Sequence, residues 1–250
     1  MALTLLAPGS TDPRHARDVA ALSARLKLAG IATAVCHLDH HGPSPADAAR
    51  GLVRAGTPST TLVPLLISPD YHARVDVPAA VRSMRGAAPE LAVAAAEPVG
   101  LNPELLDACA ELAEEAGPPI DDRTGVILAS AGSRDLRVVA AIEGLVRRCG
   151  PGLRDRLGAR SVRVAHLEGG RPIGAVRTLM QRIDGAERFV VVPVLLTDGR
   201  TRDRVLIAAQ RYDLPVLPGS LARTNAMADL VVMRAGSAPT PTPDRVAVGR

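Results

Sequence analysis

Three short segments of this 250-residue chain carry most of the side chains that could hold a metal ion or move a proton. They are Ser10 with Asp12, the run Asp39-His40-His41 with His37 just ahead of it, and Asp70, His72 and Asp76. Imidazole beside carboxylate is a suitable donor set for Co, Ni or Fe as divalent ions. The same groups accept protons near neutral pH. Strand alternation puts His37, Asp39 and His41 on one side of a chain that is extended here and leaves His40 on the other.

Each residue has a plainer reading beside this one. His72 reads as an exposed loop histidine, and Asp39 as the cap or turn acid common at strand ends. His40 and His41 read as a solvent-facing pair, one of which is able to complete a ligand set. His37 recurs as His166 inside a second strand, which reads as a satisfied structural histidine. Ser10 and Asp12 have the types of turn formers, although Ser10 can also offer a hydroxyl or backbone N–H to an anion. Arg134, Arg200, Arg202 and Arg204 supply planar cations suited to paired contacts with carboxylates or phosphates.

The segments fall at corresponding places in a sequence that repeats. Val35-Cys36-His37-Leu38-Asp39 returns as Val164-Ala165-His166-Leu167-Glu168, and Val63-Pro64-Leu65 returns as Val192-Pro193-Val194, both 129 positions later. Gly9-Ser10-Thr11-Asp12 returns as Gly132-Ser133-Arg134-Asp135, only 123 positions later, so the second copy holds six extra residues, expected within 150–158. Repeats of this length predict two similar domains with a cleft between them. The boundaries follow from the pattern: a domain over 1–116 that carries the candidate site, a proline-rich linker over 117–124, a domain over 125–235, and a tail over 236–250 expected to be disordered.

Short aliphatic runs alternate with longer amphipathic ones, the pattern of a parallel sheet covered by helices. Strands are expected at 3–6, 33–38, 61–67 and 91–95, then at 126–129, 161–166, 189–196 and 214–217. Helices are expected over 14–28, 44–54, 77–85 and 102–116, and after each later strand. Ser44-Pro45-Ala46-Asp47 and Asn102-Pro103-Glu104 carry helix-start chemistry: a capping residue, proline, then an acid. In such a sheet ligands sit beyond the carboxyl ends of the strands, which is where all three segments fall.

Composition narrows the ligand. With one Phe, two Tyr and no Trp the chain cannot stack bases, which argues against nucleic acid. A net charge of +4, carried almost wholly by arginine, is compatible with an anionic small molecule, although the arginine bias reads first as that of a GC-rich genome. Three cysteines without a CxxC spacing indicate a reducing cytoplasm rather than a disulfide framework. The longest apolar run, 189–196, is far below the roughly 18 residues that span a bilayer, so no membrane association is expected.

The segments together resemble the class II tetrapyrrole chelatases, the sirohydrochlorin ferrochelatase and cobaltochelatase family. Leu6-Ala7-Pro8-Gly9-Ser10-Thr11-Asp12-Pro13-Arg14 is similar to that family's opening loop, and Val63 to Pro78 to its third strand, histidine loop and Asp-Val-Pro helix start. Leu38-Asp39 ahead of Gly42-Pro43-Ser44-Pro45 resembles its acidic residue and Pro-Ser turn. The resemblance spans the chain except its tail and implies two duplicated, flavodoxin-like α/β domains with parallel sheets. It implies insertion of a divalent metal, with Co2+, Fe2+ or Ni2+ as substrate and no organic cofactor, into an anionic sirohydrochlorin-type tetrapyrrole of cobalamin or siroheme biosynthesis. His72 and Asp39 map onto the catalytic pair, with His41 as a further metal ligand; Ser10, Arg134, Arg200 and Arg202 are then placed to hold the macrocycle's carboxylates. Pro8 stands where the family has its first catalytic histidine, Ala131 stands there in the second copy, and Thr201 matches His72. A carrier that binds metal or tetrapyrrole without turnover is therefore the alternative, and an interaction scaffold a third. The expected state is a monomer or weak homo-oligomer.

Overall fold

The computed structural model describes residues 2–67 and 75–241. Four strands, β1 (Ala2–Ala7), β2 (Thr33–His37), β3 (Ser59–Pro64) and β4 (Ala92–Ala95), form a parallel sheet in the order β2-β1-β3-β4. Three more, β5 (Thr124–Ser130), β6 (Ser161–His166) and β7 (Arg188–Pro193), form a second parallel sheet in the order β6-β5-β7. The central strands β1 and β5 are buried along their whole length, as covered parallel strands should be. The chain leaves β1 toward β2 on one side and toward β3 on the other, which makes the carboxyl end of β1 a switch point; β5 repeats the arrangement.

Helices α1 (Pro13–Leu28), α2 (Pro45–Arg54), α3 (Val77–Ala87) and α4 (Pro103–Ala116) precede the second sheet, and α5 (Leu136–Leu157), α6 (Ile173–Leu179), α7 (Arg200–Gln210) and α8 (Asn225–Gly236) follow β5. One aliphatic core sits between the first sheet and α2 with α3, centred on Leu6, Cys36, Leu62 and Met84. Ser44 and Asp47 form the expected reciprocal cap on α2. Asn102 makes no side-chain capping bond to α4, so the second helix start uses only its proline and acid. The six-residue difference between the copies is a longer helix: α5 has 22 residues where α1 has 16, and Gly158 ends it in the left-handed conformation.

The expected strand at 214–217 does not form. Only Val216 bridges to Val191, with hydrogen bonds from Val191 N to Pro215 O and from Leu217 N to Val191 O. Pro215 has no N–H to extend the ladder.

Two compact units divide the chain, Met1–Gly100 with Ala228–Arg250 and Leu101–Met227. These are not the sequence repeats. The last helix of the first copy, α4, packs on α5 and β7. Its Glu114 receives two hydrogen bonds from Arg156, and Glu111 accepts from the first N–H groups of α8, at Asn225 and Ala226. Most of α8 belongs instead with the first unit, where Arg234 donates to the Val99 carbonyl. Residues 117–123 form an irregular connection ahead of β5; of the tail, residues 242–250 lie outside the described residues.

Candidate functional site

The carboxyl end of β1 is built by a close approach of two backbones. Parallel pairing sets Ala7 opposite His37 and continues past the strands, with Leu38 N donating to Ala7 O and Asp39 N to Pro8 O. Gly9 then turns at φ +90, and a Cβ placed there would lie 1.9 Å from the Asp39 carbonyl oxygen. Only glycine fits on both counts. The second copy repeats the device, since Gly132 has φ +70 and its Cβ would lie 2.0 Å from the Glu168 carbonyl. The glycine loop therefore fixes where the acid's backbone sits in each unit.

The loop residues behave first as turn formers. Ser10 Oγ accepts from Asp12 N at 3.1 Å, and Ser133 Oγ accepts from Asp135 N at the same distance. Asp12 caps α1 by accepting from Arg14 N and pairs with the Arg14 guanidinium at 2.7 Å. Asp135 and Arg137 repeat this on α5. Ser10 keeps its hydroxyl proton available to an anion.

The acids at the strand ends differ. Glu168 is tied by Arg134 Nε at 2.9 Å. Asp39 is exposed, has Thr11 where the second copy has Arg134, and makes no side-chain hydrogen bond or ion pair among the described residues. A carboxylate left free beside a fixed loop can accept a metal ion or a proton. Its expected partner His72 lies outside the described residues, as does Asp70; Asp76 lies at the start of α3 without a capping bond.

The neighbouring histidines separate. His40 is exposed at φ +65, whereas the His41 ring packs 5.7 Å from the His37 ring. His37 is 6% exposed, and neither of its ring nitrogens has a hydrogen-bond partner, so it is not the satisfied structural histidine that its strand position suggests. Burial and the nearby His41 lower its pKa; the Gly42 backbone lies close enough to oppose this without forming a bond of full geometry. His15, from the first turn of α1, sits 6.2 Å from His37 and completes a row of three imidazoles. Sequence reasoning missed His15, although its counterpart in the second copy, Val138, marks it as a departure from the repeat. Among the described residues no three His, Cys, Asp or Glu side chains already converge on one metal position.

The arginines expected to hold carboxylates occupy varied settings. Arg134 is 92% exposed apart from its Glu168 pair, and Arg200 is exposed at the start of α7. Arg202 instead turns back, donating to the Leu217 carbonyl at 3.1 Å, with its Nε buried and unpartnered. Cys36 and Cys109 are buried thiols pushed up to about 12, unsuited to serve as thiolates.

The model of one protein family, CbiX, matches residues 2–116 and 125–235. The chain belongs to the CbiX family. Solved structures share its architecture. SirB from Bacillus subtilis with Fe3+ superposes with a TM-score of 0.69 at 18% identity, covering 93% of both chains. The sirohydrochlorin chelatase SirB from Bacillus subtilis subspecies spizizenii, in complex with cobalt, gives 0.67 at 16% identity, over 94% of this chain and 93% of that one. A structure of CbiX described as the terminal enzyme for siroheme biosynthesis in denitrifying bacteria gives 0.59 at 19% identity, over 94% and 97%. No curated protein matches the sequence significantly. The CbiX match runs over each of the two copies, so both halves of this chain are CbiX domains, and the two parallel sheets agree with the SirB fold.

Proposed function

We propose that this CbiX-family chain inserts a divalent metal ion, Co2+ or Fe2+, into a sirohydrochlorin-type tetrapyrrole. Family membership and the iron- and cobalt-containing SirB relatives support the reaction class. The observation that carries the reading to particular residues is the unequal treatment of the two strand-end acids. Glu168 is neutralised by Arg134, while Asp39 is exposed and unpaired among the described residues.

In this mechanism Asp39 and His72 hold the incoming ion, with His41 as a further ligand, and they accept the two pyrrole N–H protons that leave as the ion enters. Substitution of protons by a dication needs bases at the entry face, and imidazole and carboxylate can each take a proton. Ser10 and the arginines Arg134 and Arg200 hold the carboxylate arms of the macrocycle. Arg202, already bound to a backbone carbonyl, must release it to take part. Three free cysteines fit a reducing cytoplasm, and no described helix is long and apolar enough to cross a membrane. A monomer or weak homo-oligomer is sufficient for this chemistry.

Pro8 favours a second reading. It offers no ligand at the place where the chelatase resemblance puts a histidine, which suits a carrier that binds without turnover. An anaerobic absorbance assay with sirohydrochlorin and Co2+, Fe2+ or Ni2+ separates the two. We expect turnover that falls roughly 100-fold in Asp39→Asn and in His72→Ala, the scale of losing a positioned acid or base, with Glu168→Gln close to wild type. Stoichiometric binding without turnover establishes the carrier, and equal losses from Asp39→Asn and Glu168→Gln overturn the half-site assignment.

A further inference from the structure

Four of the six histidines fall between residues 15 and 41, and three of them meet on the α1 side of β2. His15 comes from the first turn of α1, His37 is the last residue of β2, and His41 lies in the irregular segment beyond it. Cys36, the preceding residue, enters the core on the α2 and α3 side, so alternation places His37 on the opposite face.

The row is out of keeping with its surroundings. Both nitrogens of the buried His37 ring lack hydrogen-bond partners, as does the buried Nε2 of His41. A buried polar atom without a partner is destabilising, and native proteins rarely leave several in one place without a use. Burial first, then the neighbouring imidazoles, lower the pKa of His15. Asp12 and Asp18 act on His15 in the opposite sense, adding negative potential at the same end of α1.

The spacing suits coordination. With metal–nitrogen bonds of about 2.0–2.1 Å, two imidazoles sharing an ion have ring centres roughly 5–6 Å apart. His37–His41 at 5.7 Å falls within this range, and His15–His37 at 6.2 Å lies just beyond it. Among the described residues no three donors yet converge on one centre, so the rings must reorient for an ion to be shared. The second copy keeps only the framework. His166 matches His37, but His15 is replaced by Val138 and His41 by Gly170, whose absent Cβ lets the backbone approach within what would be 2.3 Å of the His166 ring.

We propose that His15, His37 and His41 form a second metal site, a three-imidazole loading site for a borderline divalent ion such as Co2+, Ni2+ or Zn2+, which shares His41 with the Asp39 and His72 centre. The loading role rests on the chelatase reading; the binding does not. His41 links the two, because its backbone N–H donates to the Asp39 carbonyl at 2.8 Å. The two centres are therefore neighbours along the chain, joined by this short backbone turn.

The test uses the full chain, stripped of metal and titrated anaerobically with Co2+ alone, following the visible ligand-field bands and the stoichiometry by calorimetry. In the double variant Asp39→Asn with His72→Ala we expect one Co2+ still to bind with a histidine-rich spectrum. Adding His41→Ala, with folding checked by the thermal melt, is expected to weaken that binding at least tenfold, and adding His15→Gln to do the same. His166→Gln serves as the matched buried-histidine control and should leave binding unchanged. No Co2+ bound to the double variant, or binding that survives loss of His41 and of His15, overturns the proposal. Sirohydrochlorin turnover without a second Co2+ site would sink this inference alone, whereas a second site without turnover would sink the chelatase reading alone.

Discussion

At residue scale the decisive contrast is between two glycines and the acids they press against. Gly9 and Gly132 leave no room for a side chain, and both adopt positive φ. Alanine at either position meets the about 1–2 kcal/mol cost of left-handed backbone and must also push a strand-end carbonyl away. Each substitution should lower the melting temperature by about 4 °C or more, on the scale of 2–4 °C per kcal/mol for a chain of this size. Only Gly9→Ala should also impair metal insertion, since it displaces Asp39, whereas Gly132→Ala displaces the already paired Glu168. Calorimetry with the insertion assay reads both; equal activity losses would contradict the assignment to the first unit. Much of this was legible in the sequence, because Gly-Ser-x-Asp and the strand-end acid recur together. The state of each acid was not, since Thr11 against Arg134 becomes informative only once the loop is known to face the acid. His37 shows the same limit: alternation assigns a face, not a hydrogen-bond partner.

At element scale the buried histidines couple strand ends to pH. His166 at the end of β6 is 2% exposed; burial lowers its pKa from 6.5, and Glu143 on α5, with Oε1 3.9 Å from Nε2, only partly opposes this. The sign follows from linkage. Below about 6.5 the unfolded chain takes up a proton that the folded chain resists, so the stabilisation present above 6.5 is lost as pH falls through the lowered folded value. His15 and His37 act in the same direction. The urea midpoint should therefore fall between pH 7.5 and 5.5, and it should fall less in His166→Leu. An identical fall in both proteins would show that His166 does not titrate with folding. Element types were readable from periodicity and caps, as at Ser44, whereas β-ladders were overread where proline interrupts them, as at Pro215.

At the scale of the molecule, repeat and compact unit are different things. Similarity between copies reports ancestry of segments, and it ends at α4 in one copy and α8 in the other. Packing reports which surfaces are buried together, and it puts α4 with α5 and β7 and most of α8 with the first unit. An amphipathic helix advertises an apolar face without naming the sheet that covers it, so this exchange was not legible in sequence. It has a direct consequence for fragments. Residues 101–227 retain α4, with Leu105, Leu106 and Leu112 at most 5% exposed, the Glu114–Arg156 pair and the Glu111 cap. Residues 125–235 lose all of these and carry Leu230 and Val231, both buried in the intact chain, without the first sheet. Each buried leucine contributes about 1.5–3 kcal/mol, against a typical domain stability of about 5–15 kcal/mol. The 101–227 fragment should give a dispersed amide spectrum and a cooperative urea transition, while 125–235 should bind a hydrophobic dye and unfold without a sharp midpoint. If the repeat-bounded fragment proved as stable as the packing-bounded one, α4 would be a passenger on the second unit rather than part of its core.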